Sequence, residues 1–199
     1  MAEANDAEAY LAHLDSIFHV EPEFHIVKST MPGVPGVTAI FYRDRPEAGL
    51  ITAFTYGLSL GSHSDWRASK PELMISMESR DKAWGLAIAE IAEAHRFEWP
   101  FCYGTTVNFH QAISEGSALS AFLIFAPLFL KREQFLYIKL PGATVSISGM
   151  YPLHAGEIAL HRKIGLERFW GLSDWDPLDP HRRDLSLNPA NWEGASPDA

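Results

Sequence analysis

Gly57-Leu58-Ser59-Leu60-Gly61 fits G-x-S-x-G, the pattern in which a serine on a sharp strand-to-helix turn is lifted above a sheet and attacks an acyl carbon. That chemistry needs a helix directly after the serine, because the turn aims a backbone amide at the oxyanion. The residues after Gly61, from Ser62 to Pro71, carry no apolar face at helical spacing and end in a proline, so they read as a polar loop. Glu72-Leu73-Met74-Ile75-Ser76-Met77 then reads as a short strand. The unit is therefore strand, loop, strand, with Ser59 at the end of the first strand and its hydroxyl bonded locally. One triad can be assembled in the order serine, acid, histidine: Ser59, Asp174 and His181. Its acid and base fall in a proline-rich segment, a poor platform for geometry that must hold within about 0.5 Å.

The histidines do not compose a metal site. His13, His19 and His25 recur every six residues, a spacing that no single helix face or strand face presents as a ligand set, and there is no H-E-x-x-H or Cys-x-x-Cys. His154 and His161 share a face of a predicted helix but stand about 10 Å apart along it, too far for one ion. They read as surface or cap residues, and His110, after an apolar strand, reads as a buried, hydrogen-bonded histidine. Gly57 to Gly61 lacks the lysine and the following helix of a phosphate-binding loop, so no cofactor is expected. Glu90 with Glu93, and Glu21 with Glu23, read as solvated faces.

The elements that must position these residues follow from periodicity. Residues 4–18 predict a helix with Tyr10, Leu14 and Ile17 on one face and acids in its first turn. Strands are expected at 24–29, 37–42 and 51–58, with proline- and glycine-bearing turns between them that imply antiparallel neighbours. Trp84, Ile88, Ile91 and His95 form one stripe of a helix over 81–96, with Asp81 as N-cap. Further strands are expected at 107–109, 121–125, 135–140 and 145–151, and a closing helix at 154–169. Grouped strands with inserted helices predict an α+β fold with a largely antiparallel or mixed sheet.

The chain has 199 residues, enough for one large domain with a sizeable core. The expected division is a helix over 1–20, a domain over 21–184 and a tail over 185–199; in the proline-bearing stretch from Gly171 onward, Trp175 and Trp192 either pin the terminus onto the domain or anchor a partner. Sixteen basic against twenty-five acidic residues give a charge of -9, which opposes nucleic-acid binding. A single cysteine, Cys102, rules out an internal disulfide. The absence of a signal-peptide pattern or a membrane-length apolar run predicts a cytoplasmic protein with no membrane partner.

Several landmarks recur together in order: Tyr56-Gly57-Leu58-Ser59, a loop, Glu72-Leu73-Met74, Trp84, Phe101-Cys102-Tyr103-Gly104, Val107-Asn108-Phe109-His110, Gly149-Met150-Tyr151-Pro152-Leu153, Glu157, Gly165 and Trp170-Gly171-Leu172-Ser173-Asp174. In this the chain resembles the suppressor of fused family over residues 24–184. The resemblance implies a non-enzymatic protein-binding domain; eukaryotic relatives sequester a transcription factor, and single-domain bacterial relatives include immunity proteins that neutralise toxins. An acidic domain suits a cationic toxin, since charge complementarity raises association rate and specificity. The lack of the second domain of the eukaryotic proteins implies a bacterial source. Eukaryotic members often carry an acid after the glycine matched by Gly104, whereas this chain has Thr105, so a surface built on that carboxylate does not carry over. The partner surface is expected on loop 62–71 and turn 103–106, with Trp66, Asp65, Tyr103 and Thr105 as its residues and the two aromatics either as anchors for the partner or folded back over the edge of the core. The alternative is a small serine hydrolase using Ser59.

Overall fold

Short turns set the topology of a computed structural model that describes residues 5–193. The expected helix start at Ala4 and the end of the expected tail, 194–199, lie outside the described residues. Helix α1 (Asp6–Phe18) is capped by Asn5, whose side chain accepts from the Glu8 amide. Strands β1 (Glu23–Ile26), β2 (Thr38–Arg43), β3 (Ile51–Tyr56) and β4 (Lys70–Met77) then form an antiparallel meander. Helix α2 (Ala83–His95) leads to β5 (Thr106–Asn108) and β6 (Ala121–Phe125). The short α3 (Arg132–Phe135), β7 (Ile138–Lys139) and β8 (Thr144–Leu153) follow, then α4 (Ala155–Ile164) and α5 (Leu166–Trp170). The strands form one eight-stranded mixed sheet in the order β1-β2-β3-β4-β8-β6-β5, with β7 also on β8. Among the described residues only the β4–β8 pair is parallel, and it joins the first meander to the second half of the sheet.

Alternation along the strands divides the core into two layers. One face packs on α2, where Trp84, Ile88 and Ile91 meet Phe41, Ala53, Leu73, Ile75 and Ile124. The opposite face is covered first by α1, whose Tyr10, Leu14 and Phe18 meet Ile40, Phe54, Met74 and Ile147. Over its second half that face is covered by α4 and α5, where Leu160 and Phe169 meet Leu123, Tyr151 and Leu153. Among the described residues no helix is long and apolar enough to cross a membrane.

Several expectations need correction. The closing helix breaks in two at Gly165, which takes φ +80° with an extended ψ that a helix cannot contain. The strand expected at 135–140 shrinks to two residues, because Phe135 ends a helical turn and Tyr137 is left-handed. His110 is exposed, on a left-handed turn held by its own amide to the Asn108 side chain. His161 is buried, edge-on to Phe169, with neither ring nitrogen bonded; burial lowers its pKa. Helix α1 buries Phe18 rather than Ile17, which keeps a spacing of four from Leu14.

Glu93 is not on a solvated face. It is buried and paired with the fully buried Arg96 at 3.0 Å, and it accepts from the Thr30 and Val37 amides. The turn-rich segment before β2 folds over it. Glu23, by contrast, is exposed as expected; hydrogen bonds from Lys82 and Arg43 lower its pKa to about 2.

Candidate partner-binding surface

The serine motif is the first place to look for chemistry. Strand β3 ends at Tyr56, and Leu58–Leu60 form a single 3-10 turn, not a long helix. Gly57 holds φ +122°, a conformation that favours glycine, and a Cβ on Gly61 would lie 2.2 Å from the Arg96 carbonyl oxygen. Both glycines of the pattern are thus explained by the backbone alone. Ser59 is buried, its amide donates to Glu72 Oε1 at 3.0 Å, and its carbonyl accepts from Lys70 Nζ at 2.9 Å. No histidine bonds Ser59 among the described residues. Asp174 and His181 are exposed near the C-terminal segment that packs on α4, so the triad is not assembled.

Glu72 organises this corner. It is wholly buried and accepts from Thr55 Oγ1 at 2.5 Å and from the Gly57 amide at 2.9 Å as well as from Ser59. Burial raises its pKa, and this outweighs the lowering by those donors. An acid whose folded-state pKa is raised adds stability that is full below the unfolded-state value and is lost as pH climbs through the folded-state value. Glu72→Gln is therefore expected to remove a fall in stability that the wild type shows from the ordinary carboxylate range upward. Urea midpoints measured against pH check this, and parallel curves for the two proteins would contradict it.

The two segments proposed from sequence do lie at one end of the sheet. Strand β5 is antiparallel to β6, and β6 is antiparallel to β8, which runs parallel to β4. Hence β4 and β5 run the same way, and the residues that lead into both emerge at the same end. Lys70 and Pro71, expected in the loop, already belong to β4. Trp66 is half-buried against the α2 layer, and its indole N–H donates to the Pro100 carbonyl at 3.0 Å, which ties its loop to the segment just before Tyr103. Asp65 and Thr105 are exposed. Tyr103 is 44% exposed, with its ring edge-on to Phe125 at 5.5 Å, and partial burial raises its phenol pKa. Asp65 and Trp66 thus share one loop while Tyr103 and Thr105 share the neighbouring turn, with Trp66 folded inward and Tyr103 outward.

The C-terminal segment is held by a second buried ion pair absent from the sequence reading. Glu157 accepts from Arg182 Nη2 at 2.6 Å, from the Leu185 amide at 2.9 Å and from the His154 amide at 2.8 Å. Arg182 also donates to the Pro152 carbonyl and lies 4.6 Å over Trp175, which packs against Phe169. Trp192 donates to the Ser186 carbonyl beneath Lys163. Glu157 could have been suspected from its place three residues after the helix N-cap, His154.

Comparison with known proteins places this geometry. The model of the suppressor of fused protein family matches residues 33–183. A suppressor of fused homologue from Neisseria gonorrhoeae superposes with a TM-score of 0.70 at 18% identity, covering 90% of this chain and 96% of that one. The structure of a Sufu–Fu complex gives 0.70 at 13% identity, covering 98% of each chain. Drosophila Suppressor of Fused gives 0.64 at 13% identity over 94% of this chain, which spans 52% of that longer protein. No curated protein matches the chain in sequence. With a family match over most of its length and the same mixed sheet, the chain belongs to the suppressor of fused family.

Proposed function

We propose that the chain is a non-enzymatic, cytoplasmic protein-binding module whose partner is a cationic toxin domain that it neutralises, and that the partner docks at the sheet end bearing Asp65, Trp66, Tyr103 and Thr105. The observation that carries the non-enzymatic reading is the state of Ser59. The residue is buried, its amide and carbonyl both serve the Glu72–Lys70 corner, and the motif's glycines serve the backbone. One similar structure is that of a complex, the Sufu–Fu complex, which supports a binding role. The charge of -9 supports a cationic partner, because complementary charge steers encounter and selects against wrong mates.

The test is to express any cationic domain encoded by a reading frame beside this gene and to measure its binding by calorimetry. Tyr103→Ala and Trp66→Ala are each expected to weaken binding about tenfold, equivalent to about 1.4 kcal/mol. Tyr103→Ala is the cleaner of the two, since Trp66 also packs and bonds Pro100 within the fold. Unchanged affinity in both folded variants removes this surface from consideration. Fluorophosphonate labelling that vanishes in Ser59→Ala would overturn the non-enzymatic reading.

A further inference from the structure

Among the described residues no strand pairs with the outer side of β1, the sheet edge farthest from β5. Strand β1 is exposed along its whole length, and Phe24 and Ile26 are 54% and 69% exposed. Two residues apart on a strand, they stand on the same face, beside α1. The phase of the β1–β2 ladder fixes which backbone groups are free. Val27 donates to the Val37 carbonyl, one step beyond the Ile26–Thr38 pair. Hydrogen-bonded positions alternate in an antiparallel ladder, so Glu23, His25 and Val27 turn their N–H and C=O toward β2, while Phe24 and Ile26 turn theirs outward. The same two residues therefore offer unpaired backbone and bare apolar side chains. Edge strands are usually blunted by charge, proline or a covering element.

We propose that β1 pairs antiparallel with β1 of a second copy of this chain, about a two-fold axis through His25, so that two sheets become one. In this register Phe24 of each copy lies opposite Ile26 of the other. Each such pair exchanges two N–H···O bonds, and the two pairs satisfy every outward group on Phe24 and Ile26 in both copies. A shift of one residue sets inward-facing groups against outward-facing ones. A shift of two toward the amino end sets Pro22, which has no N–H, against Ile26.

The surface relief matches the same register. A groove of about 490 Å³ lies between α1 and β1, with Leu11, Val20, Pro22 and Phe24 as its apolar wall and Asp15, His19 and Glu21 completing it. The second copy's Ile26, lying across from Phe24, reaches the mouth of that groove, and symmetry fills both. Glu23, on the other face, does not oppose the pairing locally, because Arg43 and Lys82 already neutralise it. Two copies each of charge -9 still repel at long range, so added salt tightens the dimer. The contact is small, which puts it in the weak, micromolar class. It lies away from the loops of the proposed partner surface and is independent of that reading.

Sedimentation velocity from about 10 to 300 µM at low and high salt is expected to show the mass doubling with concentration, at lower concentration in high salt. Ile26→Lys and Phe24→Lys are expected to remain monomeric with unchanged circular dichroism. The register is tested separately with His25→Cys in a Cys102→Ser background, which removes the exposed native thiol. His25 faces its own copy across the axis in a non-hydrogen-bonded position, with Cα atoms about 4.5 Å apart, within disulfide reach. Mild oxidation is expected to give a covalent dimer for that variant and not for Glu21→Cys in the same background. A wild type that stays monomeric throughout, a dimer that survives Ile26→Lys, or a failure of His25→Cys to cross-link would each overturn the proposal.

Discussion

Arg182→Ala is expected to cost about 3–5 kcal/mol of folding free energy, because it strands the Glu157 carboxylate in a site from which water is excluded. The pair is bidentate, and Glu157 also holds the Leu185 and His154 amides, so its charge orders both the start of α4 and the C-terminal segment. Alanine also removes the guanidinium from the face of Trp175. Against a typical total of about 5–15 kcal/mol, a loss of this size leaves a marginal domain. The double variant Glu157→Leu/Arg182→Met should cost less than the sum of its single changes, because no lone charge remains buried. Urea denaturation of all four proteins closes the cycle, and strict additivity would show that the two groups do not sense each other.

Trp84→Ala is expected to cost about 3–5 kcal/mol, the range for deleting a large aromatic from a core. Trp84 is fully buried at the first turn of α2, against the strands of the first meander. Its indole N–H is buried without a partner, which makes the ring's volume, not its polarity, the stabilising part. Trp84→Phe should consequently cost under about 2 kcal/mol, since it removes an unbonded donor along with some volume. Thermal melts of the two variants decide the matter. If phenylalanine is as damaging as alanine, the N–H has a partner after all.

Local signals were the legible ones. The α2 stripe was readable because Trp84, Ile88 and Ile91 repeat at the period of one helix face, and the first meander because its connecting turns are rich in proline and glycine. The loop nature of 62–69 was legible too, but not the inward fold of Trp66, which depends on a carbonyl at Pro100 far along the chain. The parallel β4–β8 seam left no trace in the pattern, because period-two alternation states which face a residue takes and not which strand lies beside it. Buried acids failed for a related reason. Glu93 looks like any helical surface acid until the segment before β2 closes over it, and the place of Glu157 in the first turn of α4 hints at a capping role but not at its burial against Arg182, 25 residues on. Glu72 differs, being an acid inside an otherwise apolar strand, a conflict of pattern that often marks a site where the backbone needs an anchor.

The parallel seam also governs how the chain can assemble. Every pairing within β1 to β4 joins strands adjacent in sequence, so each loop to be closed is short and its entropic cost is small. Joining Lys70 to Val145 instead closes a long stretch of chain that must bring α2, β5 and β6 with it. Within the sheet, contact order is thus concentrated in the β4–β8 ladder, the slow topological step for a sheet whose other pairings are more local, while α1 adds longer contacts still to Gln134 and Gly142. Until it zips, the free edge of β4 is a row of unpaired amides and carbonyls next to apolar Leu73, Met74 and Ile75, the kind of transient edge at which an incompletely folded chain pairs with the wrong neighbour.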